Sequence, residues 1–172
     1  CEYVLRRELQ ASEPKARALK ETEDKFWAAK LVAVEDGGLP PAPNLPMAVG
    51  TSGGDAQGLS RSSAKLGKEE WTRFKAQCCR LSLTPTVGLL AAYASVLATY
   101  STKHFTMTMA NFSREAGAEQ IVGQLADVMC IEVDFREECS FEEAALRLAR
   151  EVWTVMDHSS FTSGIDVMSA LN

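Results

Sequence analysis

Apolar and polar residues recur along this chain with different periods, and each period predicts a different element. From Lys68 onward, Trp71, Phe74, Cys78 and Leu81 recur at helical spacing with Arg73, Lys75, Gln77 and Arg80 between them, which predicts an amphipathic helix. The next run, LTPTVGLLAAYASVLATY, opens on Thr84 as N-cap and Pro85 as first helical residue. It is apolar almost all round, so burial on every side is expected. FTMTMANF then alternates, with Phe105, Met107 and Met109 on one strand face and Thr106, Thr108 and Ala110 on the other. VMCIEVDF, from Val128 to Phe135, predicts a second strand. Ser140-Phe-Glu-Glu143 has the pattern of a capping box and opens a helix to about Asp157. Its expected inward stripe is Phe141, Ala145, Leu148, Val152 and Met156, with Glu143, Arg147 and Glu151 as a solvated charged ladder.

The first third reads differently. Residues 2–31 predict helix with a break at Ser12-Glu13-Pro14, where Ser12 is the expected N-cap of a second helix running to about Lys30. LPPAPNLPMA then holds four of the chain's six prolines, which excludes helix and predicts a stiff, extended connector. Gly50 to Ser63 predicts a flexible polar loop. The order helix, loop, two helices, strand, strand, helix gives an α/β layer arrangement. No GxGxxG or GxxxxGK[ST] is present, so no Rossmann or P-loop reading applies.

Composition narrows the picture. The chain has 172 residues, 46% hydrophobic and 24% charged, enough for one packed core. A net charge of −5 argues against nucleic acid as a partner. No apolar run spans a bilayer and no signal peptide opens the sequence, so no membrane partner is expected. Its first residue is Cys1 rather than Met, which reads as a piece of a longer protein. Five cysteines without a CxxC pair predict neither a disulfide framework nor a metal site, and fit a reducing, cytoplasmic compartment. Of the adjacent pair Cys78 and Cys79, at least one is expected to be a small core residue. His104 and His158 lie in no HExxH or HxxxD pattern, and no GxSxG elbow occurs. Asp157-His158-Ser159 reads as a helix end, with His158 at the C-terminal dipole, rather than as a catalytic triad.

Several segments, in order, resemble the second half of heterocyclization domains of nonribosomal peptide synthetases, a subclass of the condensation domains. KFWAAKL followed by LPPAPNLPMA resembles the family's YW-x-x-x-L and LPPAPxLPLA. EWTRFKAQCCRLSLTPTVGLLAAYASVLATYS resembles its W-x-x-F and LTPS-x-x-LLAAYA-x-VLA-x-W helices, with Tyr100 where tryptophan is usual. FTMTMANFSR resembles FTLNLTLFNR, and IVGQLADVMCIEVDF resembles IVGDFTSLTLLEVDL. VWTVMDHSSFTSGIDVM resembles LW-x-DLDH-x-x-FSGV-x-V, with one extra residue between Phe161 and Gly164.

The resemblance implies a chloramphenicol acetyltransferase-like fold, two α/β sandwich lobes with a tunnel between them. It makes residues 1–34 the terminal helices of the first lobe, 35–67 the crossover and flexible loop, and 68–172 most of the second lobe. Its partners would be upstream and downstream peptidyl carrier proteins, an adjacent adenylation domain and the first lobe, for which apolar surface would be left exposed. No cofactor would be bound by the chain itself, since substrates arrive on the phosphopantetheine of the carriers. The implied reaction joins an aminoacyl or peptidyl thioester to a Cys, Ser or Thr thioester and closes a thiazoline or oxazoline ring with loss of water. The family's catalytic threonine and aspartate fall at Ala110 and Gln124, and its strand asparagine at Thr108. Neither substitute can transfer a proton near neutral pH, so impaired ring closure is expected. Thr108, Asp127 and Arg114 are candidates to line the tunnel, and a gapped alignment would make Asp127 the carboxylate. An ordinary amide-forming condensation domain and a non-catalytic scaffold of the same fold remain as alternatives.

Overall fold

The computed structural model describes residues 2–32, 38–46, 62–112, 120–123 and 125–169. Its elements run α1 (Glu2–Ser12), α2 (Pro14–Val32), α3 (Lys68–Arg80), α4 (Pro85–Tyr100), β1 (His104–Asn111), β2 (Asp127–Asp134), α5 (Phe141–Asp157) and α6 (Gly164–Ser169). The expected break between α1 and α2 is present, but Ser12 does not cap α2. Its hydroxyl donates back to the Leu9 carbonyl at 2.6 Å and so closes α1. The Glu13 carbonyl takes the Arg17 N–H instead, and Pro14, lacking a donor, starts the new helix.

α3 ends in a Schellman motif: the Leu83 N–H reaches the Cys78 carbonyl and the Ser82 N–H that of Cys79. Ser82 takes the left-handed position there, with φ 55°, where glycine is usual. The chain bends by 98° into α4. Thr84 caps α4 as expected, its hydroxyl accepting the Val87 N–H at 3.2 Å. Cys78 is buried and Cys79 exposed.

Burial of α4 departs from expectation. Val87, Gly88, Ala91 and Ala94 are buried, whereas Leu89, Tyr93, Val96 and Tyr100 stand 46–64% exposed on the other side. The helix has two apolar faces, and the described residues cover one. That inner face is small because α3 presses on it. A Cβ on Gly88 would lie 2.7 Å from the Cys78 sulfur and 3.0 Å from the Phe74 ring. No single helix among the described residues is long and apolar enough to cross a membrane.

β1 and β2 pair antiparallel, with His104 opposite Asp134 and Asn111 opposite Asp127. Phe105, Met107, Ile131 and Val133 form the buried centre of the core face. α5 packs on both β2 and α4. The pair Thr106 and Glu132 points its N–H groups out of the ladder, and both find acceptors. Thr106 donates to the Pro41 carbonyl at 3.0 Å, and Glu132 donates to the Glu151 carboxylate at 3.2 Å. The extended proline segment thus shields one sheet edge and α5 the other. Residues 50–61 of the expected flexible loop lie outside the described residues.

The Ser140 capping box forms, with both reciprocal bonds to Glu143. The buried stripe of α5 is Ala144, Ala145, Leu148, Ala149, Val152 and Val155, which keeps Ala145, Leu148 and Val152 of the expected one. Phe141 and Met156, 52% and 39% exposed, fall off its ends. The 3.6-residue period turns position 156 outward and brings 155 in. The charged ladder is also revised. Arg147 pairs with Glu137 at 2.9 Å, and half-buried Glu151 turns inward toward Lys30. α6 escaped the periodicity reading, although Ser163 and Asp166 form their own capping box with two 3.1 Å bonds.

Candidate functional site

Thr108 and Ala110 lie on the face of β1 opposite the core, and both are exposed. The register sets Cys130 beside Thr108 and Val128 beside Ala110. This end of the sheet is sterically open and chemically quiet. The Ala110 methyl makes no hydrogen bond, while the Thr108 hydroxyl can donate one and accept two. Cys130 is 1% exposed, and burial, reinforced by the charge of Asp127, pushes its thiol pKa up. It therefore stays protonated and is a poor nucleophile.

Asp127 faces the other way. It pairs with Asn111 on the core face, and its Oδ1 accepts the Val128 N–H at 2.7 Å. Gln124 and Arg114 lie outside the described residues.

The charged chemistry of the same face sits at its far end. Glu132 holds His104 Nε2 at 2.8 Å and Lys30 Nζ at 2.9 Å, and Lys30 reaches Glu151 at 2.8 Å. Burial alone would push the Lys30 pKa down, but the hydrogen bonds it donates to Glu151 and Glu132 outweigh it and hold the ammonium above its usual range. For Glu132, burial is likewise outweighed by His104 and Lys30, and the carboxyl sits below its usual range. A cavity of about 390 Å³ opens beside this cluster. Its other charges pair among themselves, Arg136 with Asp134 at 2.6 Å and Arg147 with Glu137 at 2.9 Å. The Arg136 hydrogen bonds, partly opposed by burial, lower the Asp134 pKa to about 2. Among the described residues no group of three or more His, Cys, Asp or Glu is placed to hold a metal ion.

The end of α5 carries no triad. His158 Nδ1 meets the Thr154 carbonyl at 2.8 Å, and the Ser159 hydroxyl donates to the Val155 carbonyl at 2.6 Å. The imidazole stacks on Phe26 at 4.0 Å. One group that sequence reasoning missed is Glu23, fully buried against the α5–α6 turn. It lies in the run ETEDK, which reads as a solvated helix face.

No family model matches the chain. Phenyloxazoline synthase MbtB of Mycobacterium sp. (strain MCS) is 26% identical over 154 residues, 87% of this chain and 13% of that protein. Bacitracin synthase 1 of Bacillus licheniformis is 26% identical over 151 residues, 85% of this chain and 3% of that protein. Among solved structures, the EpoB cyclization-docking bidomain from Sorangium cellulosum superposes with a TM-score of 0.73 at 26% identity, over 98% of this chain and 33% of that one. The nonribosomal peptide synthetase FmoA3 gives 0.74 at 25% identity, over 94% of this chain and 16% of that one. The chain is a homologue of nonribosomal peptide synthetase condensation-type domains. Its mixed helix-and-sheet architecture is the fold of those domains. The chain spans 13% of the length of MbtB and 33% of the EpoB bidomain.

Proposed function

We propose that this chain forms part of a condensation-type domain that joins two carrier-bound acyl groups through an amide bond, with ring closure impaired. Its substrates would arrive as thioesters on the phosphopantetheine arms of upstream and downstream carrier proteins, next to an adenylation domain. The exposed α4 stripe would meet the rest of the two-lobed domain. The observation that carries the reading is the open Thr108–Ala110 face, which presents no titratable side chain at its exposed end among the described residues. Amide formation between tethered partners needs mainly proximity and orientation. Cyclodehydration must also protonate a poor leaving oxygen, and loss of a positioned acid or base costs about 10²–10⁴-fold. Relatives named for a phenyloxazoline product and for cyclization support heterocyclizing ancestry.

The test loads both carrier proteins of the synthetase that contains this domain and reads the products by mass spectrometry. The expected product is the open amide. A product lighter by one water at a rate comparable to amide formation overturns impaired ring closure. Ala110→Thr combined with Gln124→Asp is expected to raise the ring product. The absence of any amide favours the second reading, a non-catalytic scaffold, which the same lack of a proton-transfer group supports.

A further inference from the structure

One face of α2 docks on the second half of the chain through polar groups. Glu23, Trp27 and Lys30 follow one another at i, i+4 and i+7, and all three turn inward. Glu23 is 0% exposed, and its carboxylate collects three consecutive backbone N–H groups: Ser160 on Oε1 at 3.0 Å, and Phe161 and Thr162 on Oε2 at 2.9 Å each. Next to it the Thr162 hydroxyl donates to Asp24 at 3.0 Å, and the Trp27 indole N–H donates to the His158 carbonyl at 2.9 Å. These three amides belong to neither helix nor strand, so Glu23 supplies the charged acceptor that a helical turn or a ladder would otherwise give, most critically to the buried Thr162.

The turn they form delivers Gly164 onto β2. A Cβ at Gly164 would fall 2.0 Å from the Val128 carbonyl oxygen and 3.3 Å from the Met129 nitrogen, so backbone rests directly on backbone. The Gly164 carbonyl also faces the Cys130 thiol at 3.8 Å. Val128 and Cys130 are the cross-strand neighbours of Ala110 and Thr108. Contacts therefore run from Glu23 through the turn and Gly164 to the strand beside the open face.

We infer that Glu23 is a positioning residue: by holding the 160–162 amides it fixes α6 against β2 and sets the placement of the Thr108–Ala110 face. It touches no reacting atom. Only a doubly accepting carboxylate of this reach fits. Glutamine would turn an NH₂ toward donors, and aspartate falls one methylene short. The consequence for turnover rests on the condensation reading above, whereas the consequence for backbone protection does not.

The experiment compares wild type, Glu23→Gln and Glu23→Asp in the full synthetase by peptide-resolved amide hydrogen exchange and by single-turnover amide formation. Glu23→Gln is expected to speed exchange of 160–162 by about 10²-fold, as loss of charge-assisted bonds implies. It is also expected to speed exchange across 128–131 and to lower kcat about tenfold or more with KM for the acceptor carrier unchanged, while 85–100 keep their protection. Glu23→Asp should fall between wild type and Glu23→Gln in each readout, and it carries the test if Glu23→Gln does not fold. Unchanged protection of 160–162 overturns the inference, as does a freed turn with wild-type exchange at 128–131 and wild-type kcat. Wild-type protein that makes no amide sinks the condensation reading instead, and the role of Glu23 in holding β2 is then judged by exchange alone.

Discussion

α2 and α4 invert the usual relation between sequence and burial. α2 is rich in charge, with PKARALKETEDKFWAAKLV, yet it buries Glu23 completely and Trp27 to 3% exposure. α4 is apolar around its circumference, yet Leu89, Tyr93, Val96 and Tyr100 stand in solvent. The difference lies in the partner. α2 faces a turn whose backbone donors need acceptors and a strand whose Glu132 needs a cation, so polar groups are what that interface can use. α4 meets α3 and α5 on one side through glycine and alanine, and its opposite side meets no covering element among the described residues. Hydrophobicity sets what burial is worth; the neighbouring elements set whether it happens.

That contrast can be broken most directly at Trp27. Trp27→Ala removes a buried indole and its bond to the His158 carbonyl and is expected to destabilise by about 3–5 kcal/mol, read by urea denaturation. A loss below about 1 kcal/mol would show that the α2 interface is not closed in solution. On α4, Gly88→Ala should cost about 1–3 kcal/mol by overpacking against Cys78 and Phe74. Val96→Ser on the same helix should stay within about 0.5 kcal/mol. Equal costs at the two positions would mean that the outer face is covered.

Lys30 sharpens the other half of the comparison. Lys30→Met leaves Glu132 and Glu151 facing each other, and is expected to destabilise by about 1–3 kcal/mol, discounted because the site is not fully dry. The cluster also predicts a pH window. The folded pKa of Glu132 lies below its ordinary 4.5, so its contribution is present above that value and fades as pH falls through the folded pKa. The folded pKa of Lys30 lies above its ordinary 10.5, so its contribution is present below 10.5 and fades as pH rises through the folded value. Through Glu132 thermal stability should therefore fall below about pH 4.5, and through Lys30 above about pH 10.5, and Lys30→Met should erase the alkaline limb. One expected effect is a gain. Ser82→Gly relieves a left-handed backbone and should add about 0.5–1 kcal/mol.

Local chemistry alone made much of the fold legible. The Thr84-Pro85 start of α4, the Ser140–Glu143 box of α5, the alternation in β1 and the presence of β2 all appear where the residue pattern puts them. The Ser163–Asp166 box carried the same signal for α6 and could have been read from S-x-x-D. The candidate face was legible too: period two separates Thr108 and Ala110 from Met107 and Met109. Other features needed the third dimension. Ser12 closes its own helix, its hydroxyl donating to the Leu9 carbonyl instead of accepting an amide of α2. Glu151 left the expected solvated ladder because Lys30, from a helix 121 positions away in sequence, offers it a charge.

Local sequence determined where α4 and α5 begin, which face of β1 is apolar, and that Ala110 brings no proton-transfer group. It did so because caps, prolines and period-two alternation act over a few residues. The fold, not local propensity, decided that the charged helix α2 would bury Glu23 and Trp27 and that apolar α4 would remain half open. It also decided that Glu23 would meet the amides of residues 160–162. The contacts of α2 join groups more than a hundred positions apart, and local propensity carries no information about which distant donor a carboxylate will find.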